Sequence, residues 1–424
     1  MNLFKIAWKY LTFRPLSTGL NVFLLALGLA IITVLLLIQD KFEKKMNHDA
    51  AGIDLVVGSK GSTLQLILSS VYHIDFPTGN IPMDEAQQLS RNRLVKNVIP
   101  LALGDNYQGY RIVGTNHDYL ELYEVEFGEG EAWEEPFEVV LGAEVAKRSG
   151  LTLGSEFSGS HGISVGSHDH DQHNFVVKGI LSPRGNVVDR LVLTSIESVW
   201  YSHDEEGGKE EADEEGVEHY EEEAHQDHFH HPVAKTGFPQ TEETREVTTV
   251  LVQYRSPMAA VQLPRMINSG TSMQAASPSF EISRLFELVG IGISLLQGIA
   301  FILIGVSGLG IFIALYNSLK ERKYDLAILR SLGASSMQLV ILVFLEGILL
   351  TFLGAVIGIG LGHGFLAFLI RQGDPMMTSS LEPWIFVKQE LWIVAYALGV
   401  GIIASAIPAW SAYQTSIVKQ LTKA

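Results

Sequence analysis

Histidine and carboxylate side chains interleave at two places in this sequence, and that pairing offers ligands to a divalent transition metal. The longer run, HDEEGGKEEADEEGVEHYEEEAHQDHFHH from His203 to His231, sets His203, His219, His225, His228, His230 and His231 among Asp and Glu. The shorter run, HDHDQH from His168 to His173, follows a stretch rich in Ser and Gly. On an extended chain His168 and His170 share a face, and on a helix His170 and His173 do. The chain has 0 cysteines, so thiolate sites and disulfides are excluded and any zinc must be held by His, Asp or Glu. The candidate ligands are His168, His170, His173, His219, His225, His228, His230 and His231. A solvated acidic loop with incidental His explains the same composition. The long run has almost no apolar residues to bury, so a disordered insertion is expected at about 203–245.

A second kind of chemistry is concentrated in YNSLKERKYDLAILRSLGA, Tyr316 to Ala334. Lys320, Glu321, Arg322, Lys323, Asp325 and Arg330 stand between two apolar runs, Leu285–Leu315 and Leu339–Ile370. Each run exceeds the roughly 20 residues that cross a bilayer as a helix, whereas the charges between them cannot lie in hydrocarbon. The segment is therefore a polar connection at one membrane face, and its basic excess assigns it to the cytoplasm. Leu326, Ile328 and Leu329 are spaced for a short amphipathic helix, with Gly333 as its C-terminal cap. Such a helix invites a partner. Glu346 lies inside the following run, where an ionisable side chain is a functional candidate by default and a packed, hydrogen-bonded structural Glu is the alternative. Of the 14 His, only His363 falls in an apolar span, and its neighbours Gly362 and Gly364 point to packing.

Nothing in the sequence supports an enzyme. No G-x-x-x-x-G-K-[ST] loop is present, and Gly58 to Thr63 has the composition of one without the spacing. No H-E-x-x-H, nucleophile setting or carboxylate pair stands out. The formal net charge of -17, with no basic run interleaved with aromatics, argues against nucleic acid as a partner.

These residues must be positioned by four membrane helices and one large soluble domain. Residues 1–15 read as a basic amphipathic leader, and residues 16–38 as an uncleaved first span. From 39 to 284 the chain changes to short β-like runs with interspersed helices, a mixed α/β domain between the first and second spans. Residues 285–424 hold the remaining spans, at about 285–315, 339–370 and 391–409, with the charged loop at 316–338. Both termini and that loop then lie inside, and the α/β domain and the loop from Arg371 to Glu390 outside. The 285–315 run is long for hydrocarbon, which suggests a stalk beneath the outer domain. Glycines punctuate the spans, as at Gly354, Gly358 and Gly362, and serve close helix packing within one chain or between two. Pro408 should end or kink the last span.

Several stretches together resemble the MacB/FtsX-like family of ABC transporter permeases. They are FKIAWKYL at Phe4, ERKYDLAILRSLGAS at Glu321, FLEGILLTFLGAVIG at Phe344 and IPAWSAYQTSIVKQL at Ile407, with GYRIVGTNHDYLELYEVEFGEG, EVVLGAEVAKRSGLTLGSEF and FVVKGIL in the outer domain. The resemblance implies a multi-pass inner-membrane subunit with no ATPase of its own. ATP would be bound by a separate ABC ATPase subunit, and a second permease, identical or paired, would complete the complex. It also implies that the loop carries a coupling helix seated in the ATPase, which places Glu321, Arg322, Asp325, Arg330 and Gly333 at that contact. The expected work is mechanotransmission, the export or extraction of a peptide, lipoprotein or similar substrate, with zinc as a candidate link. The rival expectation is a non-transporting signalling or scaffold protein that activates an extracytoplasmic hydrolase through a protein partner. A metal-ion uptake channel is disfavoured because the spans lack a path of polar ligands.

Overall fold

The computed structural model describes residues 2–13, 15–161, 169–203, 233–241, 244–372 and 383–414, with backbone alone at 161 and 169–173. The chain divides into two compact units. One is helical, Met1–Glu43 with Glu287–Ala424, and the other is Lys44–Phe286.

Two helices open the chain, α1 (Leu3–Phe13) and α2 (Pro15–Asp49). The second unit then alternates strands and short helices: β1 (Leu55–Ser59), α3 (Thr63–Ser70), β2 (Ile81–Pro82), α4 (Met83–Ser90), β3 (Val95–Tyr107), β4 (Tyr110–Thr115), α5 (His117–Leu122), β5 (Phe127–Gly130), β6 (Glu138–Leu141) and α6 (Ala143–Ser149). It continues through β7 (Glu156–His161), β8 (Asp169–Leu181), β9 (Val192–Ser195), β10 (Glu246–Val247), β11 (Thr249–Tyr254), α7 (Ala259–Gly270) and β12 (Met273–Ala276). The last four helices are α8 (Pro278–Glu321), α9 (Lys323–Ser331), α10 (Ser336–Gln372) and α11 (Glu390–Tyr413).

In the α/β unit the strands follow the order β12-β1-β11-β3-β4-β9-β6-β8-β5, with β7 joining β3 to β8. Most pairs are antiparallel, but β4 with β9 and β6 with β8 run parallel. Alternation of side chains along each strand loads both faces. Val56 and Leu251 join one core with Leu101, Val113, Tyr119 and Trp133, while their neighbours Leu55, Val57, Val250 and Val252 join a second core with Leu263 and Ile267.

Helix α2 covers residues 16–38, the expected span, and continues past the end of the apolar run to Asp49. Packing and hydrogen bonds extend it rather than hydrophobicity. Met46 sits in the first core, Tyr72 donates to the Met46 carbonyl at 3.0 Å and Tyr123 to the Asp49 carbonyl at 2.9 Å. The buried Asp49 carboxylate lies 3.5 Å from Lys45 and 3.8 Å from Arg190. At the other crossing, Ile282, Leu285 and Phe286 of α8 pack with the same core.

Part of the expected 203–245 insertion is packed chain. Val233 is buried in the first core, the Ala234 amide donates to Glu197 Oε1 at 2.8 Å, and Asn116 Nδ2 donates to the Gly237 carbonyl at 2.8 Å. Residues 204–232, where His219, His225, His228, His230 and His231 stand, lie outside the described residues, as does His168. The backbone of His170 and His173 belongs to β8.

A buried imidazole gives the α/β unit an acid-sensitive point. His73 Nε2 lies 3.3 Å from the Tyr119 hydroxyl, and burial, reinforced by Arg111 and Arg190, lowers its pKa from 6.5 to about 3. Between these values the unfolded chain binds the proton and the folded one does not, so stability falls as pH drops below 6.5, by at most about 1.4 kcal/mol per pH unit. His73→Asn, which suits the positive φ of 55° there, is expected to remove this slope between pH 6 and 4, as read by denaturant unfolding followed in the α/β unit. An unchanged slope would place the acid sensitivity elsewhere.

Among the described residues, four helices are long and apolar enough to cross a membrane, α2, α8, α10 and α11. Expected as a run of 285–315, α8 is one helix of 44 residues, about 66 Å at 1.5 Å per residue. Pro408 does not end α11, which continues to Tyr413. Pro408 is buried in that helix, and a proline that removes one ladder bond is tolerated where packed neighbours hold the chain. Glycine spacing serves packing within the chain: a Cβ on Gly354, Gly358 or Gly362 of α10 would meet Leu25, Ala26 or Thr33 of α2 at 2.7–2.8 Å.

Candidate functional site

Helix α9 follows α8 after a single residue, Arg322, whose φ of -97° and ψ of 13° break the helical run. It buries Leu326 and Ala327 and leaves Tyr324, Ile328 and Leu332 exposed. Those three are spaced by four, so they form one outward stripe. The helix ends at Gly333 with φ 101°. There the Gly333 amide donates to Arg330 O at 3.1 Å and the Ala334 amide to Leu329 O at 3.0 Å, the pair of bonds that makes a Schellman cap. The glycine expected from the sequence is needed because that φ is costly for any residue with a Cβ.

Arg322 turns inward from this break. Its Nη1 donates to Glu346 Oε1 of α10 at 3.2 Å, with the two side chains 15% and 6% exposed. The guanidinium also lies 3.8 Å from the centre of the Tyr10 ring of α1, within the range of a cation–π contact. Three elements, α1, α9 with its leading residue, and α10, thus meet at one charge pair. Burying either charge alone would cost several kcal/mol, so the pair holds α9 to α10 in a fixed relation.

The remaining candidates distribute around this clasp. Glu321 is exposed at the end of α8, and Arg330 is half-buried in the last turn of α9. Asp325 is exposed and lines a shallow groove with Ile6, Lys9, Tyr10, Ile328 and Leu329. The structure therefore joins Arg322 to Glu346 and presents Asp325 with the apolar stripe. Tyr10 was not singled out from the sequence; its place in the amphipathic leader, within the stretch FKIAWKYL, is the signal that could have found it.

His363 has a partner that sequence reasoning placed in a loop. Its Nε2 is 3.2 Å from Glu390 Oε2, and its Nδ1 is 2.6 Å from the Pro383 carbonyl. Since a carbonyl only accepts, Nδ1 carries a proton. Glu390 Oε1 accepts from the Val387 amide at 3.0 Å, and Trp384 and Phe386 flank the imidazole. Packing was the expected role of His363, and here it fastens the start of α11 to α10. As to a metal, no group of three His, Asp or Glu side chains gathers among the described residues.

The sequence matches the FtsX-like permease C-terminal family over residues 298–417 and the MacB-like periplasmic core domain over residues 18–263. It is 28% identical over 151 residues to YknZ, an uncharacterized ABC transporter permease of Bacillus subtilis (strain 168), a match covering 34% of this chain and 36% of that one. The chain thus spans little more than a third of that relative's length. Among solved structures, the periplasmic region of MacB from Actinobacillus actinomycetemcomitans aligns with a TM-score of 0.34 at 13% identity, covering 57% of this chain and 98% of that one.

Proposed function

The chain belongs to the MacB/FtsX-like family of ABC transporter permeases, a transmembrane component distinct from the ATPase, and from that premise we propose that it works by mechanotransmission. An ABC ATPase subunit seats on the exposed stripe of α9, Tyr324, Ile328 and Leu332, at the cytoplasmic face of the inner membrane. Nucleotide-driven movement of that subunit displaces α9. The Arg322–Glu346 clasp makes α10 follow, and α8 carries the displacement to the α/β unit outside the membrane. Two permeases, identical or paired, complete the complex, and the substrate is a peptide, lipoprotein or similar molecule handled by the α/β unit.

The observation that supports this reading most is the unbroken course of α8. It runs from Pro278, two residues after the last strand of the α/β unit, to Glu321, one residue before α9. A helix without a break is stiff along its axis, so a push at one end is not absorbed by a hinge.

The test is the pair Ile328→Asp and Leu332→Asp. These side chains are 37% and 79% exposed, so the permease should still fold and reach the membrane. Co-purification with its ATPase is expected to fall by at least tenfold. Undiminished co-purification would move the contact away from α9.

A further inference from the structure

The sheet of the α/β unit ends in two unlike strands, β12 at one side and β5 at the other. β12 is largely buried, whereas all four residues of β5, Phe127–Gly130, are exposed. The inner side of β5 is engaged with β8, where Phe127 stands opposite Leu181 and Gly130 opposite Gly179. Just beyond its ends the Ser182 amide donates to the Glu126 carbonyl at 2.8 Å and the Glu131 amide to the Lys178 carbonyl at 3.3 Å. Among the described residues no strand pairs with its outer side. An open edge presents a row of backbone N–H and C=O groups with which an extended chain can pair.

Side chains around the edge select which chain that can be. Seven Glu and no Lys or Arg stand between Glu121 and Glu135. Glu126 and Glu131, which bracket β5, keep 76% and 73% of their side chains exposed and stand 3.8 Å from Arg184 and Lys178. Glu129, within the strand, is exposed as well. Ion pairs this exposed contribute little. A second copy of β5 laid against the first would set like charges across the new ladder, which is destabilising. The acids therefore oppose the self-pairing to which an open edge is prone, and the same charges favour a strand that carries Lys or Arg. Gly128 keeps the approach clear. A Cβ there would meet its nearest atom, Ser182 Oγ, at 3.4 Å, an ordinary contact, so packing within the chain does not demand glycine at this position. Glycine inside a strand often marks a place where another backbone comes close.

We infer that the outer edge of β5 binds a basic peptide in extended form. The peptide adds a further strand to the sheet, its backbone paired with β5 and its Lys or Arg side chains set against Glu126, Glu129 and Glu131. For its place in transport the inference rests on the proposed handling of a peptide by the α/β unit, and it narrows that peptide to a basic one recognised by charge and extended shape.

The experiment uses the full-length permease in non-ionic detergent and a fluorescein-labelled peptide of about eight residues, within the length of an ordinary strand, that alternates Lys and Val. A second peptide alternates Glu and Val. Followed by anisotropy, saturable binding of the Lys peptide is expected, at least roughly tenfold tighter than that of the Glu peptide, because like charges brought together across an interface are strongly disfavoured. Glu126→Lys with Glu129→Lys should reverse the preference. Both side chains are exposed, so the double variant folds, as an unchanged melting curve would verify. Hydrogen exchange gives a readout that adsorption to an acidic surface would not move. The amides of residues 126–131 should exchange more slowly with the Lys peptide bound, since outward N–H groups of β5 become hydrogen-bonded. Absence of saturable binding, a preference that survives the double variant, or exchange at 126–131 that the peptide leaves unchanged would each overturn the site. None of these measurements involves the ATPase or nucleotide, so their failure leaves coupling through α9 standing, and a failed co-purification test at Ile328 and Leu332 leaves the β5 site standing in turn.

Discussion

Arg322→Met is expected to leave a permease that inserts in the membrane but is destabilised and no longer passes nucleotide-driven movement to its α/β unit. Glu346, 6% exposed at its side chain, would be left buried without the guanidinium that now lies 3.2 Å away. Breaking a buried pair from one side costs roughly 3–5 kcal/mol, whereas replacing both partners with apolar residues is often neutral. The double variant Arg322→Met with Glu346→Leu should therefore regain most of the lost stability. It should not regain coupling, because the directional link between α9 and α10 is still missing. The chain has 0 cysteines, so a single thiol introduced in the α/β unit can carry a spin label without background. The label signal is compared between the nucleotide-free and vanadate-trapped complexes with the ATPase. A nucleotide-dependent change that persists in the double variant would make the clasp a matter of stability alone.

Several parts of this arrangement could be read from residue types in order along the chain. The four spans follow from uninterrupted apolar length, and α9 from charges that hydrocarbon excludes, with Gly333 ending it where a left-handed residue is needed. What could not be read was set by approaches between distant residues. Glu346 could be flagged as costly, but its partner lies 24 residues away across a helix break, and no local pattern names it. The extension of α2 past its apolar run depends on Tyr72 and Tyr123 meeting its final turn.

Gly358→Leu is the substitution expected to do the greatest damage to the helical unit. An added Cβ at this position would lie 2.8 Å from the Ala26 carbonyl oxygen, 2.9 Å from Leu29 Cβ and 3.2 Å from Ala26 Cα. Two of those atoms are backbone, so no rotamer change relieves the contact and α10 must move away from α2. Gly354 and Gly362 make approaches of 2.7 and 2.8 Å to the same helix, so separation at the centre opens the whole seam. Without a hydrophobic driving force between helices in lipid, close packing of this kind is what holds them. Overpacking alone costs about 1–3 kcal/mol, and the weaker dispersion attraction along an opened seam adds to it. The expected result is a chain that aggregates on extraction in mild detergent. Gly360→Leu is the matched control: nothing lies within 4 Å of its Cβ position, and it should give monodisperse protein that binds its ATPase as the parent does. Equal behaviour of the two variants would mean that α2 and α10 do not depend on this approach, and that glycine spacing in α10 serves packing between chains.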